Sequence, residues 1–485
     1  MKINLHDILK RDFGFTSFRP GQEEILRHLF ANQNTLAILP TGGGKTLLYQ
    51  MYGAVTHQRV VIVSPLISLM FDQVSRLQYL GSKRVVALTS ALDFQEKAII
   101  LSRLNQYQFI YVSPEMLANE QVFQKIKSLK IGLFVVDEAH CISEWGPDFR
   151  PDYLNLGKVR QNLGRPLTLM MTATATDVVK ADIINHMNFD SADVQQVVLP
   201  VNRPNIFLSA KVLANQQEKD RELIDLVSKL HGPGIIYFSS KSKAEEAAVN
   251  LAVKTGRQVM AYHGGMDNQT RFHIQQQFMD GNLDIVCATS AFGMGIDKDD
   301  IRFVIHYHLP ANIQSYVQEI GRCGRDQKPS LAVLLYEPND RYLQMNLIAN
   351  TIPERNILKY LFQHPKALTN DDQFRVVKYY HDNGYSLDQT MGIFEHSRQR
   401  RITELGAMVQ YVYQDGCRRD DLLKYFNERV SATLKNKEFC CDHDIDFWNN
   451  WQSFNEKYLN QSLKSAKSKP KSWQEVIDKL FLLKN

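Results

Sequence analysis

The residues with the clearest chemistry lie between positions 39 and 46, Leu39-Pro40-Thr41-Gly42-Gly43-Gly44-Lys45-Thr46, after an apolar run and before a helical stretch. Without Cβ atoms, Gly42, Gly43 and Gly44 let backbone N–H groups converge on phosphate oxygens, and the next helix adds the partial positive charge of its N-terminus. Lys45 can then reach the β- and γ-phosphates of a nucleotide, and the Thr46 hydroxyl can hold Mg²⁺. The strict phosphate-loop pattern has glycine where this chain has Leu39, but the Gly-Lys-Thr ending is intact. Asp137-Glu138-Ala139-His140 directly follows the apolar run 133–136, which puts two carboxylates at the C-terminal end of a buried strand, where open α/β sheets gather ligands. Asp137 suits Mg²⁺, and Glu138 suits orienting and deprotonating an attacking water. Such an acidic pair is common in solvated loops; it gains weight from the phosphate loop beside it. A third group, Cys417, Cys440 and Cys441, holds half of the 6 cysteines and points to a metal before redox chemistry.

These groups need a frame. Short β-rich apolar runs alternate with amphipathic stretches over the first two-thirds of the chain, the pattern of parallel-sheet α/β domains with helices on both faces. One series has expected strands at 35–39, 60–63, 109–112, 133–136 and 167–171, and a second at 234–238, 259–262, 285–288, 303–306 and 331–335. Between them Val201-Asn202-Arg203-Pro204-Asn205 breaks regular structure and marks a domain boundary. After about position 340 the periodicity turns helical. Around 461–471 four lysines, Lys464, Lys467, Lys469 and Lys471, alternate with serine, alanine and proline, which reads as a flexible basic segment.

At 485 residues the chain exceeds what one core usually serves, and 44% hydrophobic with 22% charged residues excludes a disordered protein. A net charge of +5 fits a polyanionic partner without requiring one. No apolar run approaches the roughly 18 residues that cross a bilayer, and the start Met1-Lys2-Ile3-Asn4 has no leader pattern, so a cytoplasmic protein is expected, nucleoid-associated if bacterial.

Taken in order, these segments resemble the motifs of superfamily-2 helicases. Residues 39–46 resemble motif I, Asp137-Glu138-Ala139-His140 motif II and Thr172-Ala173-Thr174-Ala175 motif III. Gln318-Glu319-Ile320-Gly321-Arg322-Cys323-Gly324-Arg325 resembles motif VI, which implies catalytic roles for Gln318 and arginine fingers at Arg322 and Arg325. Residues 63–69, 235–240 and 288–298 resemble motifs Ia, IV and V; the resemblance implies that Ser64, Ser239 and Thr289 help grip DNA and that Gly295 and Asp297 lie at the nucleotide.

Three further features narrow the resemblance to the RecQ family. Residues 13–22 resemble its motif 0, in which Phe15 and Arg19 would sandwich adenine while Gln22 reads its edge; a planar cation stacks well on a π system. Residues 143–151 resemble its aromatic-rich loop. There Trp145 and Phe149 would stack on unpaired bases, Arg150 would reach toward the phosphates and Asp148 would tie DNA occupancy to hydrolysis, with Pro147 standing where the family commonly has histidine. Cys417, Cys440 and Cys441 resemble the family's four-cysteine zinc site, with Asp444 at the fourth position; Asp444 or the adjacent His443 would complete the tetrahedron.

The resemblance implies two tandem RecA-like parallel-sheet lobes, 1–200 and 201–340, a helical zinc-binding-type subdomain at 341–445 and a partly flexible basic tail at 446–485. It implies an ATP- and Mg²⁺-dependent 3′-to-5′ DNA helicase, with zinc, acting on single-stranded and forked DNA in repair or recombination. A monomer is expected, with a single-strand-binding or repair protein as a possible partner. About forty residues follow Asp444, too few for the winged-helix and helical DNA-binding domains of longer relatives. A translocase or annealing factor that does not open duplex by itself, and an RNA remodelling enzyme, are therefore the alternatives.

Overall fold

The computed structural model describes residues 4–79, 81–143, 151–293, 298–350, 353–364, 372–428 and 439–459. Trp145, Asp148, Phe149, Arg150, Gly295, Asp297 and the lysine-bearing stretch 461–471 lie outside them.

Two all-parallel sheets organise the chain. The first holds β1 (Asn34–Ile38), β2 (Arg59–Val63), β3 (Val85–Leu88), β4 (Phe109–Val112), β5 (Ile131–Val136), β6 (Thr168–Thr172) and β7 (Val194–Val198), ordered β3-β4-β2-β5-β6-β1-β7. The second holds β8 (Ile206–Val212), β9 (Gly234–Tyr237), β10 (Val259–Tyr262), β11 (Ile285–Ala288), β12 (Phe303–His306) and β13 (Ser330–Tyr336), ordered β10-β11-β9-β12-β13-β8. Side chains alternate faces along a strand, so continuous apolar runs feed two cores at once. Val61, Val63, Ile110, Val112, Phe134 and Val136 enter one core of the first sheet. Their neighbours Val60, Ile62, Phe109, Tyr111, Leu133 and Val135 enter the other.

The ten expected strands all form, within two residues at either end. Three others, β3, β7 and β8, were not among the expected runs. Strand β7 lies at the sheet edge and reads Val-Gln-Gln-Val-Val, only partly buried, so its apolar signal is weak. The chain passes from the first sheet to the second between Val198 and Ile206.

Beyond β13 the described residues are helical. The long helix Leu387–Tyr413 buries Met408, Tyr411 and Val412 in one core of the second sheet, while Phe394 joins Leu358, Leu361, Val377 and Tyr380 in a cluster of its own. The segment from 446, expected as a tail, opens with the helix Phe447–Phe454, whose Phe447, Trp451 and Phe454 fall at helical spacing and pack on the other face of that sheet. Phe207 of β8 meets Phe454 at 4.4 Å between ring centroids, and Phe439 stacks on Phe454 at 5.6 Å. Among the described residues no helix is long and apolar enough to cross a membrane.

Candidate active site and metal centre

The phosphate loop runs from β1 into the helix Lys45–Thr56. Gly42 and Gly44 hold φ of 78° and 73°, left-handed values that a side chain would strain. The Gly43 N–H donates to the Pro40 carbonyl at 2.8 Å, closing the turn, and Lys45 and Thr46 open the helix behind it. Motif 0 braces this loop from outside. Gln22 donates its amide to the carbonyls of Gly43 and Gly44, both at 3.1 Å, and accepts from the Arg19 N–H at 2.9 Å. The Arg19 guanidinium donates to the Gly42 carbonyl, and Phe15 is 51% exposed, free to meet a planar ligand. The Gln22 amide therefore holds the loop here, a role its expected reading of an adenine edge did not include.

Across the loop, Asp137 and Glu138 leave the end of β5. Lys45 Nζ lies 3.7 Å from Glu138 Oε1. Glu138 is buried and adopts the left-handed backbone at φ 47°; its Oε2 lies 3.3 Å from His140 Nδ1 and makes no hydrogen bond among the described residues. A strained residue carrying a buried carboxylate with hydrogen-bonding capacity left over suits a base that receives a water. Burial opposes its charge, but Lys45, His140 and Arg322 outweigh that and hold its pKa below the ordinary value. Asp137 is pushed the other way, first by burial and then by the Glu138 charge. His140 Nδ1 pairs with the Thr172 hydroxyl at 2.8 Å, which joins motif II to the end of β6.

The second sheet supplies the opposing wall. Gln318 lies on the helix Ile313–Ile320, and the loop after it approaches the phosphate loop closely: the Thr41 hydroxyl donates to the Gly321 carbonyl at 2.7 Å. The side-chain stem of Arg325 lies against Gly42, 3.1 Å from where a Cβ would stand. Arg322 is buried, feels Glu138 electrostatically, and donates to the Gly293 carbonyl in motif V. Lys45, Glu138, Arg322 and Arg325 thus meet in one cleft.

The expected DNA-contacting residues separate. Ser64 is 1% exposed, and its hydroxyl makes no hydrogen bond among the described residues. Ser239 follows β9 and is partly exposed; its hydroxyl accepts from Gln344 at 2.9 Å. Thr289, just after β11, is partly exposed.

At the cysteines, Cys417 Sγ lies 3.5 Å from Cys440 Sγ and 3.8 Å from Cys441 Sγ, and Cys441 Sγ lies 3.0 Å from Asp444 Oδ2. The four donor atoms fall within 4.8 Å of one another. Bonds of about 2.3 Å from zinc to sulfur in a tetrahedron require sulfurs about 3.8 Å apart, so the set fits that ion. His443 turns toward Asp442 instead, with Nε2 4.0 Å from Oδ1. The cluster also completes a sheet edge: the Leu208 N–H donates to the Cys440 carbonyl at 3.1 Å and the Asp442 N–H to the Leu208 carbonyl at 3.0 Å. Sequence reading passed over Arg203, Arg418, Arg419 and Asp442, which hold this region together. The one local signal was a run of two arginines beside Cys417.

Family models describe three parts of the chain: DEAD/DEAH box helicase over residues 19–181, helicase conserved C-terminal domain over 218–327 and RecQ zinc-binding over 377–444. The chain is 39% identical to the probable ATP-dependent DNA helicase RecS of Bacillus subtilis, over 99% of this chain and 98% of that protein. It is 35% identical to the ATP-dependent DNA helicase RecQ of Haemophilus influenzae, over 90% of this chain but 63% of that one. Among solved structures, the Mycobacterium smegmatis helicase Lhr bound to ssDNA and AMP-PNP aligns with a TM-score of 0.60 and 21% identity, covering 81% of this chain and 57% of Lhr. S. cerevisiae Dbp5 bound to RNA and ADP BeF3 aligns at 0.56 and 17% identity, covering 82% and 97%. At such identities these two likenesses speak for the shared two-lobed fold. The near full-length match to RecS, the RecQ zinc-binding region and the cleft built by both sheets agree, and the chain belongs to the RecQ family of ATP-dependent DNA helicases.

Proposed function

We propose that this chain couples ATP hydrolysis to 3′-to-5′ movement along single-stranded DNA and to opening of duplex ahead of it, in repair or recombination. The observation that carries the reading is the convergence of Lys45 and Glu138 from one sheet with Arg322 and Arg325 from the other. Mg-ATP bound there would supply the phosphoryl group and the metal charge. Thr46 and Asp137 would hold the metal, Lys45 would bind the terminal phosphates, and Glu138 Oε2 would take a proton from water. Arginines poised across a cleft can raise such a rate by about 10³–10⁵, so hydrolysis depends on how the lobes stand. Residues 1–200 and 201–340 are the moving lobes in this reading, 341–445 the subdomain that steadies the second, and 446–485 the remainder. Zinc would be held by Cys417, Cys440, Cys441 and Asp444.

On the DNA side, a serine hydroxyl at Ser239 suits a phosphate, and bases stack on aromatic side chains with little regard to sequence. Cytoplasmic location, action as a monomer, and cooperation with a single-strand-binding or repair protein complete the proposal. The test is a forked duplex offered with and without ATP, beside ATP hydrolysis with DNA, with RNA and alone. ATP-dependent strand separation and stimulation by DNA are expected. Stimulation without separation would leave a translocase or annealing factor, preference for RNA would leave a remodelling enzyme, and no stimulation by any polynucleotide would end the proposal.

A further inference from the structure

Arg203 lies in the strand-to-strand passage between β7 and β8, where the chain crosses from one sheet to the other. A guanidinium offers five N–H donors in a rigid plane, and all are engaged here. Nε donates to Asn205 Oδ1 at 3.3 Å. One terminal nitrogen donates to the Gly321 carbonyl at 3.1 Å and the Thr41 carbonyl at 3.4 Å. The other donates to the carbonyls of Cys323 at 3.1 Å and Gly324 at 2.6 Å. Thr41 belongs to the phosphate loop, and the other three carbonyls flank Arg322 in the loop that also carries Arg325. Carbonyl oxygens turned to one point repel each other, and a single planar cation converts that repulsion into a fixed geometry.

Arg203 is itself held from behind. Arg419, 4% exposed, donates to the Arg203 carbonyl and to Asn202 Oδ1, each at 2.9 Å, and with its other terminal nitrogen to the Cys440 carbonyl at 3.3 Å. An unbroken line of hydrogen bonds thus runs from the cysteine cluster through Arg419 and Arg203 to both walls of the nucleotide cleft.

We infer that Arg203 is a positioning residue that sets the arginine-bearing loop against the phosphate loop, and that the cysteine cluster acts on ATP hydrolysis through Arg419 and this contact. The inference rests on the ATPase reading given above. It does not require Arg203 to touch nucleotide. Its effect is on geometry, where a misplacement of about 1 Å can cost about 100-fold in rate.

The experiment is steady-state ATP hydrolysis by the full chain with and without single-stranded DNA, for wild type, R203A, R203K and R203K/R419K, beside thermal melting and ATP binding. A lysine keeps the charge but is a point donor that cannot fork. R203K should melt within a few degrees of wild type and lose about 10- to 100-fold in kcat, with the KM for ATP and the half-saturating DNA concentration changed less than about threefold. R203A should lose at least as much in kcat; if it does not fold, R203K carries the test. The double variant should hydrolyse ATP within twofold of R203K, because the two changes break one line. R203K with kcat within twofold of wild type, or with kcat, KM and melting all degraded together, overturns the positioning role. Multiplied losses in the double variant overturn the relay through Arg419. A wild type indifferent to DNA would instead remove the functional reading, and this inference with it.

Discussion

Changing Asp442 to asparagine should loosen the cysteine cluster from the second sheet while leaving the side-chain volume almost unchanged. Asp442 and Arg418 form an ion pair at 2.5 Å with both side chains 4% exposed. The second carboxylate oxygen of Asp442 accepts from the Ala210 N–H at 2.8 Å, and Arg418 also donates to the Tyr411 carbonyl at 2.9 Å. Burial works against the Arg418 charge, but Asp442 outweighs it and raises its pKa. Removing one partner of a buried pair leaves an uncompensated charge and costs about 3–5 kcal/mol. Asparagine keeps one acceptor for Ala210, so the lower end, about 3 kcal/mol, is expected. For a unit the size of the second sheet with its helices, each kcal/mol moves Tm by about 2–4 °C, so the loss is about 6–12 °C. Calorimetry of the full chain in excess zinc reads it directly. A D442N protein melting within 2 °C of wild type would refute the reasoning.

Lys45→Ala should abolish ATP hydrolysis, at least 100-fold in kcat, while melting within 2–3 °C of wild type, because Lys45 is not a core residue; circular dichroism beside an ATPase assay checks both. Gly53→Ala should destabilise by about 1–3 kcal/mol, measured by denaturant titration, because its Cβ would stand 2.7 Å from the buried Phe109 ring. His308 is held neutral: burial first, then the Lys219 and Lys243 charges, push its pKa from 6.5 down to about 3. The unfolded chain therefore takes up a proton that the folded one refuses, and stability present above pH 6.5 is lost as pH falls toward 3. Between pH 6.5 and 5 the loss is roughly 2 kcal/mol, and His308→Asn should flatten that part of the stability profile. Phe454→Ala should cost about 3–5 kcal/mol, since its ring sits among Phe207, Phe439 and Phe447; unchanged melting would show that the helix Phe447–Phe454 is not part of the core.

The groups that the two sheets bring to the cleft were legible as candidates because their patterns are local. Three glycines before Lys45-Thr46, and two carboxylates ending an apolar run, are short patterns whose chemistry follows from residue type and spacing alone. What could not be read is which distant group each side chain meets. Thr41 and Gly321 touch across 280 positions, and no periodicity links them. Gln22 is read from its motif as a reader of adenine, yet its amide direction, settled by tertiary packing, makes it a brace for Gly43 and Gly44. Helix Phe447–Phe454 is too short to stand out beside a lysine-rich stretch, and its aromatic spacing has meaning only once Phe207 is known to face it. The adjacent serines after β9 make the point most sharply. Ser240 accepts from the Lys243 N–H at 3.3 Å and caps the helix Lys241–Thr255, a role that three residues of sequence suffice to suggest. Ser239 accepts from Gln344, 105 positions away, and its own proton has no acceptor among the described residues. A hydroxyl whose lone pair is engaged still has a proton to give, so the same residue type, one position apart, closes a helix in one case and is tied to a distant helix with its own donor unspent in the other.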